Sequence, residues 1–92
     1  MANVSEDKLL KVSKTTNPKD LGSAIANAVF EGEDVLLRAV GAGAVNQAVK
    51  GLIIASSYTA QRAINLTFRA GFQTIASHEG DISAIILKVV VG

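Results

Sequence analysis

The most constraining feature of the sequence is an abrupt change of hydrophobic period near its middle. Val35–Val40 is a short run rich in valine and leucine, which predicts a buried central strand. Gly41–Gly43 interrupts this run, and from Ala44 to about Ala60 the apolar residues recur at helical spacing. The apolar stripe of this second helix is predicted at Val45, Ala48, Val49, Leu52 and Ile53. A strand, a glycine turn and a helix in succession predict a sheet with a helix packed on its face.

The segments on either side continue the alternation of strands and helices. Leu9–Ser13 alternates apolar with polar residues and predicts a short first strand. Asn17 is a good helix N-cap, Pro18 suits the first helical position, and Gly32 fits the end of that helix. The last two strands are predicted at Ile64–Ala76, with a bulge or bend at Ala70-Gly71, and at Ile82–Val91.

The resulting element order, β-α-β-α-β-β, predicts an α/β fold of the α+β two-layer kind. Both crossovers, 9–40 and 35–66, are long enough to join parallel strands, so we expect a four-stranded mixed sheet with two helices on one face. The last two strands form a hairpin that is expected to extend past the sheet. Residues 9–92 are predicted to be a single domain, and residues 1–8 a flexible N-terminal tail.

Composition favours association between subunits. With 92 residues and no cysteine, the chain has neither a disulfide to stabilise it nor a thiolate to bind metal. Its apolar fraction, 49%, is near the upper end of the usual range, and its charged fraction, 18%, is low. A monomer this small hides that much apolar surface with difficulty, so we expect an oligomer.

The sequence gives no sign of a membrane partner. No apolar run approaches the length of about 18 residues that a membrane span needs. Met1–Asp7 is polar and acidic, unlike the start of a signal peptide. We therefore expect a cytoplasmic protein.

The charges are segregated along the chain, although the net charge is only +1. No Asp or Glu occurs between Val35 and Ser77, whereas that segment contains Arg38, Lys50, Arg62 and Arg69. Four more lysines crowd the N-terminal fifth, at positions 8, 11, 14 and 19. This segregation permits a basic face at near-zero net charge. Ordinary surface scatter explains it equally well in a chain with nine basic residues.

The residues give little support for catalysis, a metal site or a small-molecule substrate. His78 lies beside Glu79 and Asp81 in a predicted turn, for which a solvated tip is a simpler interpretation than a metal site. No carboxylate is poised against a nucleophile, so we expect neither an enzyme nor a cofactor. The Gly-Ala-Gly turn lacks the third glycine and the acidic residue of a dinucleotide site, so no small-molecule substrate is expected.

The glycine turn fits a nucleic-acid backbone better than a free nucleotide. Backbone amides at a helix N-terminus bind phosphate, and Lys and Arg side chains set the affinity for nucleic acid. A tight turn with close helix–sheet packing explains the glycines equally well. Phe68 and Phe72 fit a core or an interface, so base stacking is not expected. The candidate nucleic-acid-binding residues are Lys14, Lys19, Gly41, Gly43, Asn46, Gln47, Lys50 and Arg69.

Two blocks of sequence resemble the stage V sporulation protein S family. They are Leu10–Ser13, which reads Leu-Lys-Val-Ser, and Ala39–Lys50, which contains Gly-Ala-Gly-Ala-Val-Asn-Gln-Ala-Val-Lys. The similarity runs from about Leu9 to Val91. That family is similar in turn to the Alba chromatin and RNA-binding proteins, which share this strand order and pair into dimers. The resemblance implies an Alba-like fold, a homodimer and a developmental regulatory role.

The Alba resemblance also implies where nucleic acid binds. Alba proteins use the loop after the first strand, the start of the second helix and the long final hairpin. Carried over by position, these parts are Lys14–Lys19, Gly41–Lys50 and Arg69–Ile82. Two departures lower the expected affinity for duplex DNA and favour RNA or a weak, regulated interaction. Thr16 and Asn17 replace a pair of lysines before Pro18, and the hairpin tip carries Glu79 and Asp81 where Alba arms are basic.

Two functions remain open from the sequence. The first is a nucleic-acid-binding regulatory protein that contacts the phosphate backbone of DNA or RNA as a homodimer. The alternative is a protein-interaction or assembly module with no nucleic-acid ligand, which the high apolar content and modest charge favour.

Overall fold

The first two strands lie side by side and parallel, with a helix between them in the chain. The computed structural model describes residues 8–92. Its first three elements are β1 (Lys8–Val12), α1 (Pro18–Phe30) and β2 (Val35–Ala39). Lys8 therefore belongs to β1 and not to the predicted tail, because its amide donates to the Asp34 carbonyl at 2.6 Å. The rest of that predicted tail lies outside the described residues.

The remaining elements complete a mixed sheet. They are α2 (Ala42–Ala60), β3 (Leu66–Ile75) and β4 (Ile82–Val91), and the strand order is β1-β2-β4-β3. β4 pairs antiparallel with both β2 and β3, so β2 and β3 run parallel with β4 between them. The predicted fold class, a four-stranded mixed sheet with two helices on one face, is confirmed.

The β3–β4 hairpin differs from its prediction at one point. The register runs unbroken from Leu66 opposite Val91 to Ile75 opposite Ile82, so the predicted interruption at Ala70-Gly71 is wrong. A Cβ at Gly71 would meet nothing within 4 Å, so this glycine simply occupies an open position in an edge strand. β2 pairs only with residues 85–88 of β4, and the end of the hairpin therefore extends past β2, as expected.

The two helices approach each other closely at a pair of glycines. A Cβ on Gly22 would lie 2.6 Å from Ile54 Cγ2, and one on Gly51 would lie 2.5 Å from Leu21 Cδ2. Both distances are far below van der Waals contact, so only glycine permits this crossing. The contact fixes the start of α1 against the middle of α2.

This crossing explains why the predicted stripe on α2 is only partly correct. Ala48 and Leu52 are buried, but Ile53 is 62% exposed. The buried side consists mainly of small residues, namely Ala44, Ala48, Gly51, Leu52, Ala55 and Thr59. Close packing against α1 selects small residues here, whereas a stripe assigned by hydrophobicity favours the large ones.

The sheet has one covered face and one uncovered face. Val35, Leu37 and Ala39 of β2 are buried in the core under the helices. Alternate residues of a strand point to opposite faces, and residues paired across strands share a face. The face opposite the helices, called the open face below, therefore includes Leu9, Lys11, Leu36, Arg38, Arg69, Gly71, Ile86 and Lys88.

Candidate nucleic-acid interface

Hydrogen bonds within the loop between β1 and α1 fix the backbone on either side of Lys14. The Ser13 amide donates to Thr16 Oγ1 at 2.8 Å, and the Thr16 amide donates to the Ser13 carbonyl at 3.1 Å. Asn17 Oδ1 accepts from the amides of Lys19 and Asp20 and so caps α1, as the sequence predicts. These bonds occupy the neighbouring polar groups, while the Lys14 and Lys19 side chains remain exposed.

The start of α2 is an uncapped helix N-terminus. Gly41 is the N-cap residue, and its φ of 90° lies in the left-handed region that favours glycine. No side chain of the described residues caps this end, and the first turn of α2 contains no acidic residue. The first amides of a helix have no partner within it, and their aligned dipoles favour an anion. This end of α2 therefore attracts negative charge.

The loop and the start of α2 are fastened together. A Cβ on Gly43 would lie only 2.9 Å from Lys14 Cβ, so the glycine lets the loop approach the helix closely. Gln47 Nε2 donates to the Thr16 carbonyl at 2.9 Å across the same junction. Gln47, a candidate phosphate contact by sequence, thus also positions the loop that carries Lys14.

An open depression of about 460 Å³ lies at this junction. Its lining includes the predicted residues Lys14, Gly41 and Gly43. Lys11 and Arg38 line it as well, and sequence reasoning did not select them. Arg38 was the only charge in an otherwise apolar strand, a pattern that could have marked it as functional. Parallel pairing places Lys11 directly opposite Arg38, which brings three cations to one concavity.

A second depression, of about 480 Å³, brings together the cations of the two helices. Its lining includes Lys19 at the start of α1 and Lys50 in the third turn of α2, beside Asn17. We give the name loop–helix surface to the sequence-predicted residues of the first loop and of the two helices: Lys14, Lys19, Gly41, Gly43, Asn46, Gln47 and Lys50. Asn46 is exposed and lines a groove with Gly41 and Phe72.

The other cations of the described chain lie elsewhere. Arg69, the eighth candidate, points to the open face and lines a depression there with Lys88. Arg62 follows the far end of α2, with its guanidinium 3.8 Å above the Phe30 ring, a stabilising cation–π contact. Of the eight candidates, Lys14, Gly41 and Gly43 line the first depression, Lys19 and Lys50 line the second, and Arg69 lies apart on the open face.

The hairpin tip is an ordered acidic turn. The Gly80 amide donates to the Ser77 carbonyl at 3.2 Å, and the Ser77 hydroxyl donates to the Gly80 carbonyl. Glu79 and Asp81 are exposed on this turn, as is His78. No group of three or more His, Cys, Asp or Glu in the described chain is arranged to hold a metal ion.

Between residues 8 and 92, neither helix combines the length and the hydropathy needed to cross a membrane.

Comparisons with known proteins agree with this architecture. The family model of stage V sporulation protein S (SpoVS) matches residues 8–92. Among solved structures, Alba from Thermoplasma volcanium superposes with a TM-score of 0.56 at 10% sequence identity. The match covers 92% of this chain and 99% of that one, and at such low identity it establishes a shared fold. The loop–helix surface and the open face both lie within the matched residues, and the chain belongs to the stage V sporulation protein S family.

Proposed function

We propose that this chain is a nucleic-acid-binding regulatory protein that contacts the phosphate backbone of DNA or RNA through the loop–helix surface. One observation carries the proposal: Lys14 lines a depression with the uncapped N-terminus of α2, at Gly41 and Gly43. Lys19 and Lys50, which are far apart in sequence, meet in a second depression between the two helices. Phosphate oxygens are bound by lysine ammonium groups and by free backbone amides. Contacts to the phosphate backbone carry no direct sequence information, so binding is expected to depend weakly on sequence.

The distribution of acids supports the same surface. No Asp or Glu occurs between Val35 and Ser77, so the whole of α2 lacks carboxylates. Asp20 is the one acid of α1, and it lies at the N-terminal end, where it stabilises the helix dipole. A polyanion approaching the start of α2 therefore meets little repulsion.

The direct test is a titration across salt concentration. Labelled duplex DNA and labelled RNA are titrated with the protein by fluorescence anisotropy. Each neutralised phosphate makes log affinity fall with log salt by about 0.9 on duplex DNA and about 0.7 on single strands. The proposal predicts a slope that corresponds to several contacts. Absence of measurable binding to any DNA or RNA at low salt would contradict it.

We also propose that the protein acts as a homodimer. The helices leave β3 uncovered, and the side chains on its helix side include Phe72, 85% exposed, and Phe68, 47% exposed. A groove of about 570 Å³ separates α2 from the hairpin, with Val45, Val49 and Phe72 in its lining. Exposed aromatic side chains beside an uncovered edge strand favour burial against a second copy.

Sedimentation equilibrium tests the dimer. The expected mass is twice the 9.5 kDa of one chain, and Phe72→Ser should shift it towards the monomer because the interface loses its largest exposed side chain. Arg62→Ala, which removes an intramolecular contact at the far end of α2, serves as the control and should leave the mass unchanged. A wild-type chain that sediments as a monomer at all accessible concentrations would contradict the dimer.

The same aromatic edge favours the alternative function, a protein-interaction or assembly module. In that case the edge would bind a different protein, and the loop–helix surface would have no nucleic-acid ligand. A purified protein that recovers one defined partner after nuclease treatment, and that fails the salt titration, would support the alternative.

A further inference from the structure

The open face of the sheet is a second cationic surface, which adjoins the loop–helix surface where Lys11 and Arg38 line the depression beside Lys14. Two of its cross-strand pairs are pairs of like charge: Lys11 lies opposite Arg38, and Arg69 lies opposite Lys88. Side chains in such positions have Cβ atoms about 5 Å apart, and like charges placed there destabilise a sheet. Each of the four strands, as the structure describes them, lacks an acidic residue that would relieve this repulsion. An anionic partner on this face would relieve it.

Aliphatic side chains fill the space between the two cationic pairs. Leu36 lies opposite Lys88, Ile86 lies opposite Arg38, and both aliphatic residues are half-buried. They line a shallow depression of about 380 Å³ together with Arg69 and Lys88. At the margins of the face, Leu9 and Val90 are exposed. The face is therefore an apolar centre flanked by cations on both sides.

An apolar centre flanked by cations suits a protein partner better than a nucleic-acid partner. Both phenylalanines of β3 belong to the helix side, because Phe68 pairs with buried Val89 and Phe72 pairs with Ile85. Of these two rings only Phe72 lines the depression on the open face, so the depression offers a single ring and not a platform for successive stacked bases. Exposed aliphatic side chains gain nothing from a phosphate backbone, whereas they are stabilised when an apolar stripe covers them.

We propose that the open face docks an acidic amphipathic helix of a partner protein. A half-apolar sheet face is commonly covered by a further layer of helices, and here one face already has its layer while the other has none among the described residues. A helix of about 13 residues is about 20 Å long, enough to cross four strands spaced about 4.8 Å apart. Its apolar stripe would contact Leu36 and Ile86, and its carboxylates would reach Lys11, Arg38, Arg69 and Lys88.

The probe for this surface is a labelled synthetic peptide. It has leucines at positions i, i+3, i+4 and i+7 and glutamates at most others. Two control peptides are a scrambled version of the same composition and an oligo-glutamate of the same net charge. Fluorescence anisotropy with the full chain is expected to give saturable binding of the amphipathic peptide and weaker binding of both controls.

Two variants locate the binding. Arg69→Glu with Lys88→Glu should weaken the amphipathic peptide at least about tenfold, since two attractive charges become repulsive. Leu36→Ser should abolish the preference for the amphipathic peptide over oligo-glutamate while the charges remain. Lys50→Glu, on the far side of the molecule, should leave peptide binding nearly unchanged. Thermal unfolding by circular dichroism checks that each variant is folded.

Three results would overturn the proposal. The first is equal binding of the three peptides, which would indicate attraction by charge alone. The second is a lower sedimentation mass of Arg69→Glu with Lys88→Glu than of wild type, which would make the face a contact between copies of this chain. The third is a combination of two findings: Lys88→Glu reduces RNA or DNA binding as much as Lys50→Glu does, and the wild-type chain does not bind the peptide. That result would assign the open face to nucleic acid.

Discussion

The loop–helix surface and the open face are both cationic, yet their neighbouring groups differ. On the loop–helix surface Lys14 stands beside uncapped backbone amides, on a loop that Gln47 ties to α2. On the open face the cations flank half-buried Leu36 and Ile86. Amides bind phosphate oxygen, and aliphatic side chains bind apolar side chains. Two surfaces with positive charge can therefore bind different classes of partner, and the uncharged groups beside the cations determine which class each surface binds.

The largest expected difference between the two surfaces comes from reversing charge. Lys14→Glu with Lys50→Glu should weaken nucleic-acid binding about tenfold to a hundredfold. The dependence of log affinity on log salt should become less steep by the contribution of about two phosphate contacts. Lys88→Glu on the open face is the matched control. At physiological salt its field is screened over about 8 Å, so its effect should be much smaller. If anisotropy shows that the charge reversals on the two surfaces reduce nucleic-acid affinity equally, the proposed difference between the surfaces is wrong.

A glycine substitution tests how the loop is positioned. Gly43→Ala would bring a methyl group within 2.9 Å of Lys14 Cβ, so the loop must move away from α2. We expect a loss of nucleic-acid affinity of about threefold to tenfold, because misplaced charges no longer converge on one phosphate path. Gly71→Ala on the open face meets nothing within 4 Å, so it should leave affinity unchanged and slightly raise the midpoint of urea unfolding. If Gly43→Ala binds nucleic acid with the affinity of wild type, the claim that this glycine positions the loop for binding is wrong.

The smallest expected effect concerns the hairpin tip. Glu79→Gln with Asp81→Asn removes two exposed negative charges without changing shape. If nucleic acid bound at the loop–helix surface passes near the hairpin, affinity should rise about twofold, the effect of relieving weak repulsion between solvated charges. The same pair of substitutions should not change binding of the amphipathic peptide to the open face. An unchanged nucleic-acid affinity would place the tip outside the binding path.

Much of the fold followed from local sequence rules. Asn17 and Pro18 set the start of α1, and the largely apolar run at positions 35–39 formed a central strand. The bounds of β4 were predicted correctly. These features depend on capping and period, which act over a few residues.

Features that depend on tertiary contact were harder to predict. Ile53 was assigned to the core by its hydrophobicity, but the helix crossing at Gly22 and Gly51 turned the small-residue side of α2 inward. Arg38 and Lys11 were overlooked because only strand pairing brings them together at the glycine turn. Arg69 was grouped with the other cations by its charge, and the alternation of β3 places it on the open face instead. Side-chain direction in a strand follows from register, which one sequence does not reveal.

The central claim is that the polyanion meets the loop–helix surface and not the sheet. The most direct measurement is the change in backbone amide chemical shifts of ¹⁵N-labelled protein on addition of a short RNA or DNA oligonucleotide. The account predicts shifts concentrated at Lys14, Lys19, Gly41–Gly43 and Lys50, with Leu36, Ile86 and Lys88 nearly unmoved. Shifts confined to the open face, with the glycine turn unaffected, would contradict it.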